Sequence, residues 1–134
     1  MDLPWLLCVL PNHYHLLVET PEPNLGRGML RLNGAYARGH NYRHERVGHV
    51  FQGPYEAKLV ESDEHLLELC RYLALNPVRA GLCDQPEEWQ WSSYRALIGL
   101  ALCPPYLHAR RVRGLFPAPG EFRDFVTAGI PAEI

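Results

Sequence analysis

The dipeptide Pro11-Asn12 stands between two strongly apolar runs, Trp5 to Leu10 and His13 to Thr20, and this constrains the fold more than any other feature. Proline favours turns through its fixed φ, and asparagine through its short hydrogen-bonding side chain. The flanking runs therefore pair as an antiparallel hairpin. Alternate residues of a strand share a face, so His13 and His15 present two imidazoles side by side while Tyr14 points the other way. Neutral imidazole binds Zn, Mn, Fe, Cu or Ni, and a histidine pair needs a further protein ligand plus water or substrate oxygens to complete a site. By pattern alone, two histidines two apart are more often solvated or hydrogen-bonded than metal-bound. A strand buried through Leu16 to Val18 is nonetheless a rigid mount for a site.

With 134 residues the chain has the size of one domain with a single core. Hydrophobic residues make up 47% and charged residues 21%, the balance of a soluble globular protein. Cys8, Cys70, Cys83 and Cys103 are widely spaced with no C-x-x-C, which argues against a zinc ribbon and a disulfide framework. They read as reduced thiols, and the expected location is cytoplasmic. The apolar start follows Asp2 rather than a basic segment and lacks a small-residue cleavage site, so it reads as a strand and not as a signal sequence. No run is long enough to span a bilayer, and no membrane partner is expected.

A net charge of -2 argues against indiscriminate binding to polyanions. The charge is unevenly spread, however. Between Asn24 and Val60 the bases Arg27, Arg31, Arg38, Arg43, Arg46 and Lys58 face only Glu45 and Glu56, with His40, His44 and His49 nearby. Lys58 is the sole lysine, and arginine is the residue that binds phosphate bidentately and stacks on bases. A solvated helix face is the plainer explanation of the same charges.

From Asn24, a good N-cap, apolar residues Leu25, Met29, Leu32 and Tyr36 recur at helical spacing, with Arg27, Arg31 and Arg38 off that stripe. Gly26, Gly28, Gly34 and Gly39 weaken this helix by up to about 1 kcal/mol each. Asn41 to Gly48 reads as an exposed basic loop, and Val50-Phe51-Gln52 and Tyr55 to Glu61 as strand candidates. Ser62 caps a clearer helix with Asp63 and Glu64 in its first turn, running to about Asn76 and ended by Pro77. Its buried stripe is Leu66, Leu69, Cys70 and Leu73, and Tyr72 and Asn76 are neighbours on one face. Trp91 and Tyr94 are candidate core residues, the latter on a short helix from Ser92 to Ile98. Beyond Cys103 the prolines leave only Glu121 to Thr127 as a helix.

A strand-borne His-x-His, a later helix with Tyr-x-x-x-Asn and the arginines between them resemble the single-strand DNA transposases of the HUH class, most closely the REP-associated tyrosine transposases. The matching pieces are Leu10 to Val18, Arg31-Leu32-Asn33, Gly48 to Gly53, Arg71-Tyr72-Leu73, Leu75 to Gly81 and Trp91 to Arg95. They occur in family order from about residue 5 to about residue 99. The resemblance implies an α+β fold, a small antiparallel sheet with helices packed on one face, related to the ferredoxin-like fold. It implies a transposase domain, partial at its N-terminus, over residues 1–99; residues 100–134 carry no part of the resemblance and read as a Pro-rich extension with one short helix. It makes His13, His15 and Asn76 ligands of a divalent cation, Mg or Mn, and Tyr72 the nucleophile that nicks and rejoins single-stranded or hairpin DNA. Arg79, inside a matched motif, joins Arg27, Arg31, Arg38, Arg43, Arg46 and Lys58 as a DNA-contacting residue.

Two departures stand out. Gly53-Pro54-Tyr55-Glu56 replaces the usual Gly-Arg-Tyr-Lys of the family, exchanging two positive charges for a proline and an acid. Relatives also carry a strand and a long helix ahead of the hairpin, and here the hairpin comes almost first. An uncovered apolar edge invites pairing with another chain. The expectation is therefore a truncated member of marginal stability that self-associates, for example as a homodimer, and is inactive. Two rival functions follow: a DNA-binding remnant without catalysis, and a metal hydrolase without a covalent intermediate.

Overall fold

The structure, a computed structural model, describes residues 3–51 and 53–130. Its class is α+β: among the described residues there are two antiparallel strands, β1 (Leu3–Val9) and β2 (Tyr14–Glu19), and five helices, α1 (Leu25–His44), α2 (Asp63–Arg79), α3 (Tyr94–Leu97), α4 (Ala109–Leu115) and α5 (Glu121–Ala128). The chain divides into two compact units, Thr20–Leu59 and a larger one made of Leu3–Glu19 and the chain from Val60 onward.

The larger unit is built on the hairpin. Leu10 N–H donates to the His13 carbonyl across Pro11-Asn12, as the turn dipeptide requires, so His13 closes the turn and β2 begins one residue later. The register pairs Leu6 with Leu17, Leu7 with Leu16 and Cys8 with His15, with an irregularity between Pro4 and Leu6. Directly opposed residues share a face. One face thus carries Leu6, Cys8 and Leu17, all buried, together with His15. Helices α2 and α4 pack on β1, and α5 packs on α2. The resulting core joins Leu6 and Leu17 to Cys70, Leu73, Leu75, Tyr94, Val112, Phe116, Phe122 and Val126. Each such side chain contributes roughly 1.5–3 kcal/mol when fully buried.

Ser62 caps α2 as its sequence predicts: it is extended, and its hydroxyl accepts from His65 N–H. The end of the helix differs from expectation. Pro77 lies inside α2, whose last residue is Arg79, and Gly81 at φ 75° terminates it. Leu82 N–H donates to the Pro77 carbonyl and Gly81 N–H to the Val78 carbonyl, a Schellman pair that satisfies the last carbonyls. Proline lacks only its own N–H, so near a C-terminus it costs one helical bond, and glycine supplies the left-handed stop.

The outer edge of β1 is not left open. The Val9 and Ser93 N–H groups donate to the Trp91 and Leu7 carbonyls, the Trp89 indole donates to the Val9 carbonyl, and His108 N–H donates to that of Pro4. Downstream segments thus cover an edge expected to lie open for want of the upstream strand and helix that the family resemblance implies. Trp91 itself is 59% exposed, contrary to its expected place in the core, because its backbone and not its ring is the part used. Tyr94 is fully buried, as expected. Beyond residue 100 α5 matches the expected helix, and α4 was not foreseen.

The smaller unit contains α1 and the segment after it. Asn24 starts the helix through its carbonyl, which accepts from Gly28 N–H, while its side chain makes no capping bond. The helix extends through Asn41-Tyr42-Arg43-His44, residues whose pattern suggests a loop. Of its expected apolar stripe only Met29 is buried, whereas Leu32 and Tyr36 are exposed. Neither Val50-Phe51 nor Tyr55 to Glu61 forms a strand, and Gln52 lies outside the described residues.

Candidate functional site

The hairpin places both histidines at the open end of the helix-covered face. Their ring centroids are 5.0 Å apart, edge to face. His13 Nδ1 lies 2.7 Å from Asn12 Oδ1. A carbonyl oxygen only accepts, so Nδ1 carries the proton and Nε2 is the nitrogen left for a ligand. From sequence Asn12 is only a turn residue; an asparagine directly before a candidate ligand histidine is the signal for this second role. His15 is half-buried, and burial first, then His13 beside it, lowers its pKa below the ordinary histidine value. The shift favours the neutral form of His15, the form that binds a cation.

Helix α2 brings Tyr72 to this pair. Because α2 packs on β1 on one side and on α5 on another, Leu73, Ala74, Leu75, Asn76 and Pro77 are buried all round the helix, while Tyr72 is 41% exposed. Its ring centroid is 6.0 Å from that of His15, edge-on. The Arg79 guanidinium lies 5.3 Å from the Tyr72 ring centroid, a cation–π contact between residues two helical turns apart. That spacing is visible in the sequence, although the motif by itself gives Arg79 only a DNA-contacting role. Asn76 is one turn beyond Tyr72 and 9% exposed. His13, His15, Tyr72 and Arg79 thus form one cluster at the surface of the larger unit.

Among the described residues no group of three His, Cys, Asp or Glu side chains is arranged to hold a metal ion. An ion on His13 and His15 would complete its shell from oxygens outside that set, such as an asparagine amide, water or substrate. Two imidazoles side by side, with Asn76 one turn beyond the neighbouring Tyr72, are a donor set that suits a divalent cation of that description.

The remaining predicted residues belong to the smaller unit. Arg27, Arg31, Arg38 and Arg43 are on α1, and Arg46 and Lys58 are exposed beyond it. Gly34 and Gly39 make room for arginines lying back along the helix: a Cβ on Gly34 would stand 3.2 Å from an Arg38 guanidinium nitrogen, and one on Gly39 3.5 Å from that of Arg43. The helical glycines, which weaken α1, therefore let these cations lie flat. Pro54 and Glu56, where the usual pattern has two bases, are exposed. No described helix is long and apolar enough to cross a membrane.

No family model matches the chain, and no solved structure matches it. It is 25% identical over 109 residues to a protein of Haemophilus influenzae described provisionally as a REP-associated tyrosine transposase. The match covers 73% of this chain but only 62% of the relative, so the chain spans less than two thirds of the protein it resembles.

Proposed function

We propose that this protein is a transposase-like enzyme that nicks and rejoins single-stranded or hairpin DNA through a 5'-phosphotyrosine at Tyr72, with Mg or Mn held by His13, His15 and Asn76. The observation that carries the proposal is the approach of Tyr72 to His15, 6.0 Å between ring centroids, from distant parts of the sequence. The similarity to the Haemophilus protein supports the transposase-like part, and with it DNA as partner.

In the reaction, Tyr72 Oη bonds to the phosphorus of a phosphodiester and the bond from phosphorus to the 3' oxygen breaks. The phenol proton passes to solvent, and the departing oxygen takes one up to become a 3' hydroxyl. Attack by a 3' hydroxyl reverses both changes, so joining needs no nucleotide cofactor. A divalent ion, when bound, neutralises charge developing on the phosphate. Exposure of Tyr72 leaves it open to a strand. Arg79 holds a positive charge beside the ring where the phosphotyrosine forms, and burial, then His13, lowers the pKa of His15 and so favours its neutral form. The cations Arg27, Arg31, Arg38, Arg43, Arg46 and Lys58 contact the DNA backbone.

Incubation with labelled hairpin DNA and Mn, resolved by denaturing electrophoresis, tests the proposal. A covalent protein–DNA adduct is expected. Cleavage without an adduct would mean a hydrolase, and binding without cleavage a remnant.

A further inference from the structure

The last two turns of α1 carry a feature that the proposed reaction does not use. His40 and His44 are four apart, hence neighbours on one helix face, and their ring centroids are 4.4 Å apart. His40 Nδ1 is buried and has no hydrogen-bond partner. An orphaned buried nitrogen costs free energy, and an ion that accepts its lone pair is one way to remove the cost. The helix end itself favours positive charge, because its last carbonyls carry the negative end of the dipole. The turn is also held in place: Glu45 adopts a left-handed conformation at φ 50°, Arg46 N–H donates to the Asn41 carbonyl, and the Asn41 amide donates to that of Gly48.

We propose that His40 and His44 form a second cation site, chelating a divalent transition metal such as Zn, Ni or Cu, its other positions taken by water or other oxygens. Two nitrogens bound to one zinc at about 2.0–2.1 Å stand roughly 3.3 Å apart in a tetrahedral site, a span within reach of rings this close. Imidazole binds these metals more readily than Mg, which prefers oxygen, and the hairpin pair shares that chemistry, so the two sites are told apart by variants and not by metal class. Tyr36 continues the same face, 6.1 Å from His40 and 5.9 Å from Phe51 between centroids. An aromatic ladder without metal is therefore the competing explanation.

The two separate cleanly by experiment. The full chain is titrated with Ni and hydrogen exchange is followed segment by segment, in the native protein and in three variants: His40→Phe, His44→Phe, and His13→Ala with His15→Ala. The Phe changes keep stacked rings but remove the nitrogens. Ni should slow exchange in residues 40–46 of the native chain and of the hairpin double variant, and the affinity read from protection of those residues should fall at least tenfold in either Phe variant. If Ni protects residues 40–46 of both Phe variants as it does those of the native chain, or protects only the hairpin, the proposal is overturned and the ladder is structural.

Discussion

The larger and the smaller unit differ in what determines them. In the larger unit, residues far apart in sequence meet: Leu6 of β1 shares a core with Leu75 of α2 and Val126 of α5, and the candidate site rides on that packing. In the smaller unit one helix carries most of the charge and little of the burial, with Leu30, Leu32, Tyr36 and Tyr42 all exposed. The contrast teaches that position is specified where the proposed chemistry needs it, at Tyr72 and the histidines, and that the arginines need only be displayed.

The contrast is sharpest in the core. Leu6→Ala or Leu75→Ala should destabilise the protein by about 2–5 kcal/mol, a large part of the roughly 5–15 kcal/mol of a typical domain. Leu30→Ala, at 75% exposure, should stay within about 0.5 kcal/mol of the native chain. Chemical denaturation of the three variants measures this, and equal destabilisation would break the distinction between the units.

The next effect concerns how α5 holds α2. A Cβ on Gly129 would stand 2.6 Å from Arg71 Cδ and 2.9 Å from Leu75 Cδ1. Arg71 cannot swing away freely, since it bonds Glu68 and the Phe125 carbonyl and stacks on the Phe125 ring. Gly129→Ala should therefore cost about 1–3 kcal/mol by overpacking, visible as a lower melting temperature.

A smaller, opposite change is expected at Tyr94, whose hydroxyl is buried without a partner. Tyr94→Phe removes that unsatisfied group and should raise stability by about 1 kcal/mol. Burial, and then Glu87, push the Tyr94 phenol up to about 12. The folded state thus holds the proton longer than the unfolded state, whose phenol titrates near 10. Its contribution is complete below pH 10 and is lost as pH rises from about 10 to about 12. Melting curves in that window should fall less for the Phe variant than for the native chain.

Least affected in stability should be Arg31→Gln with Arg38→Gln, within about 0.5 kcal/mol. The same pair should weaken DNA binding and flatten its salt dependence by about 0.7 in slope for each phosphate no longer neutralised on a single strand. An unchanged slope would mean that α1 is not the DNA surface.

Much of this was legible in the chain itself, and the misreadings have physical causes. The hairpin could be read because a turn dipeptide between apolar runs allows few alternatives, and the start of α2 because Ser62 and two acids mark a helix N-terminus. The end of α2 was misplaced because a proline outweighed the glycine four residues later, and the Schellman bonds to Gly81 and Leu82 are tertiary geometry that no local pattern displays. Helix α4 was missed because Ala109–Leu115 is short and holds Gly114; it is fixed by burying Ala109 and Val112. At the site, spacing indicated the histidine pair, but the approach of Tyr72 to His15 depends on how α2 crosses the sheet, and only the fold supplies it.

Central to the whole reading is the chemical role of Tyr72. Tyr72→Phe keeps the ring beside His15 and removes the attacking oxygen. Denaturing electrophoresis with labelled hairpin DNA and Mn should show a covalent adduct for the native chain and none for the Phe variant, with His13→Ala plus His15→Ala losing Mn-dependent cleavage while DNA binding persists. An adduct of equal yield on the Phe variant would contradict Tyr72 as the nucleophile.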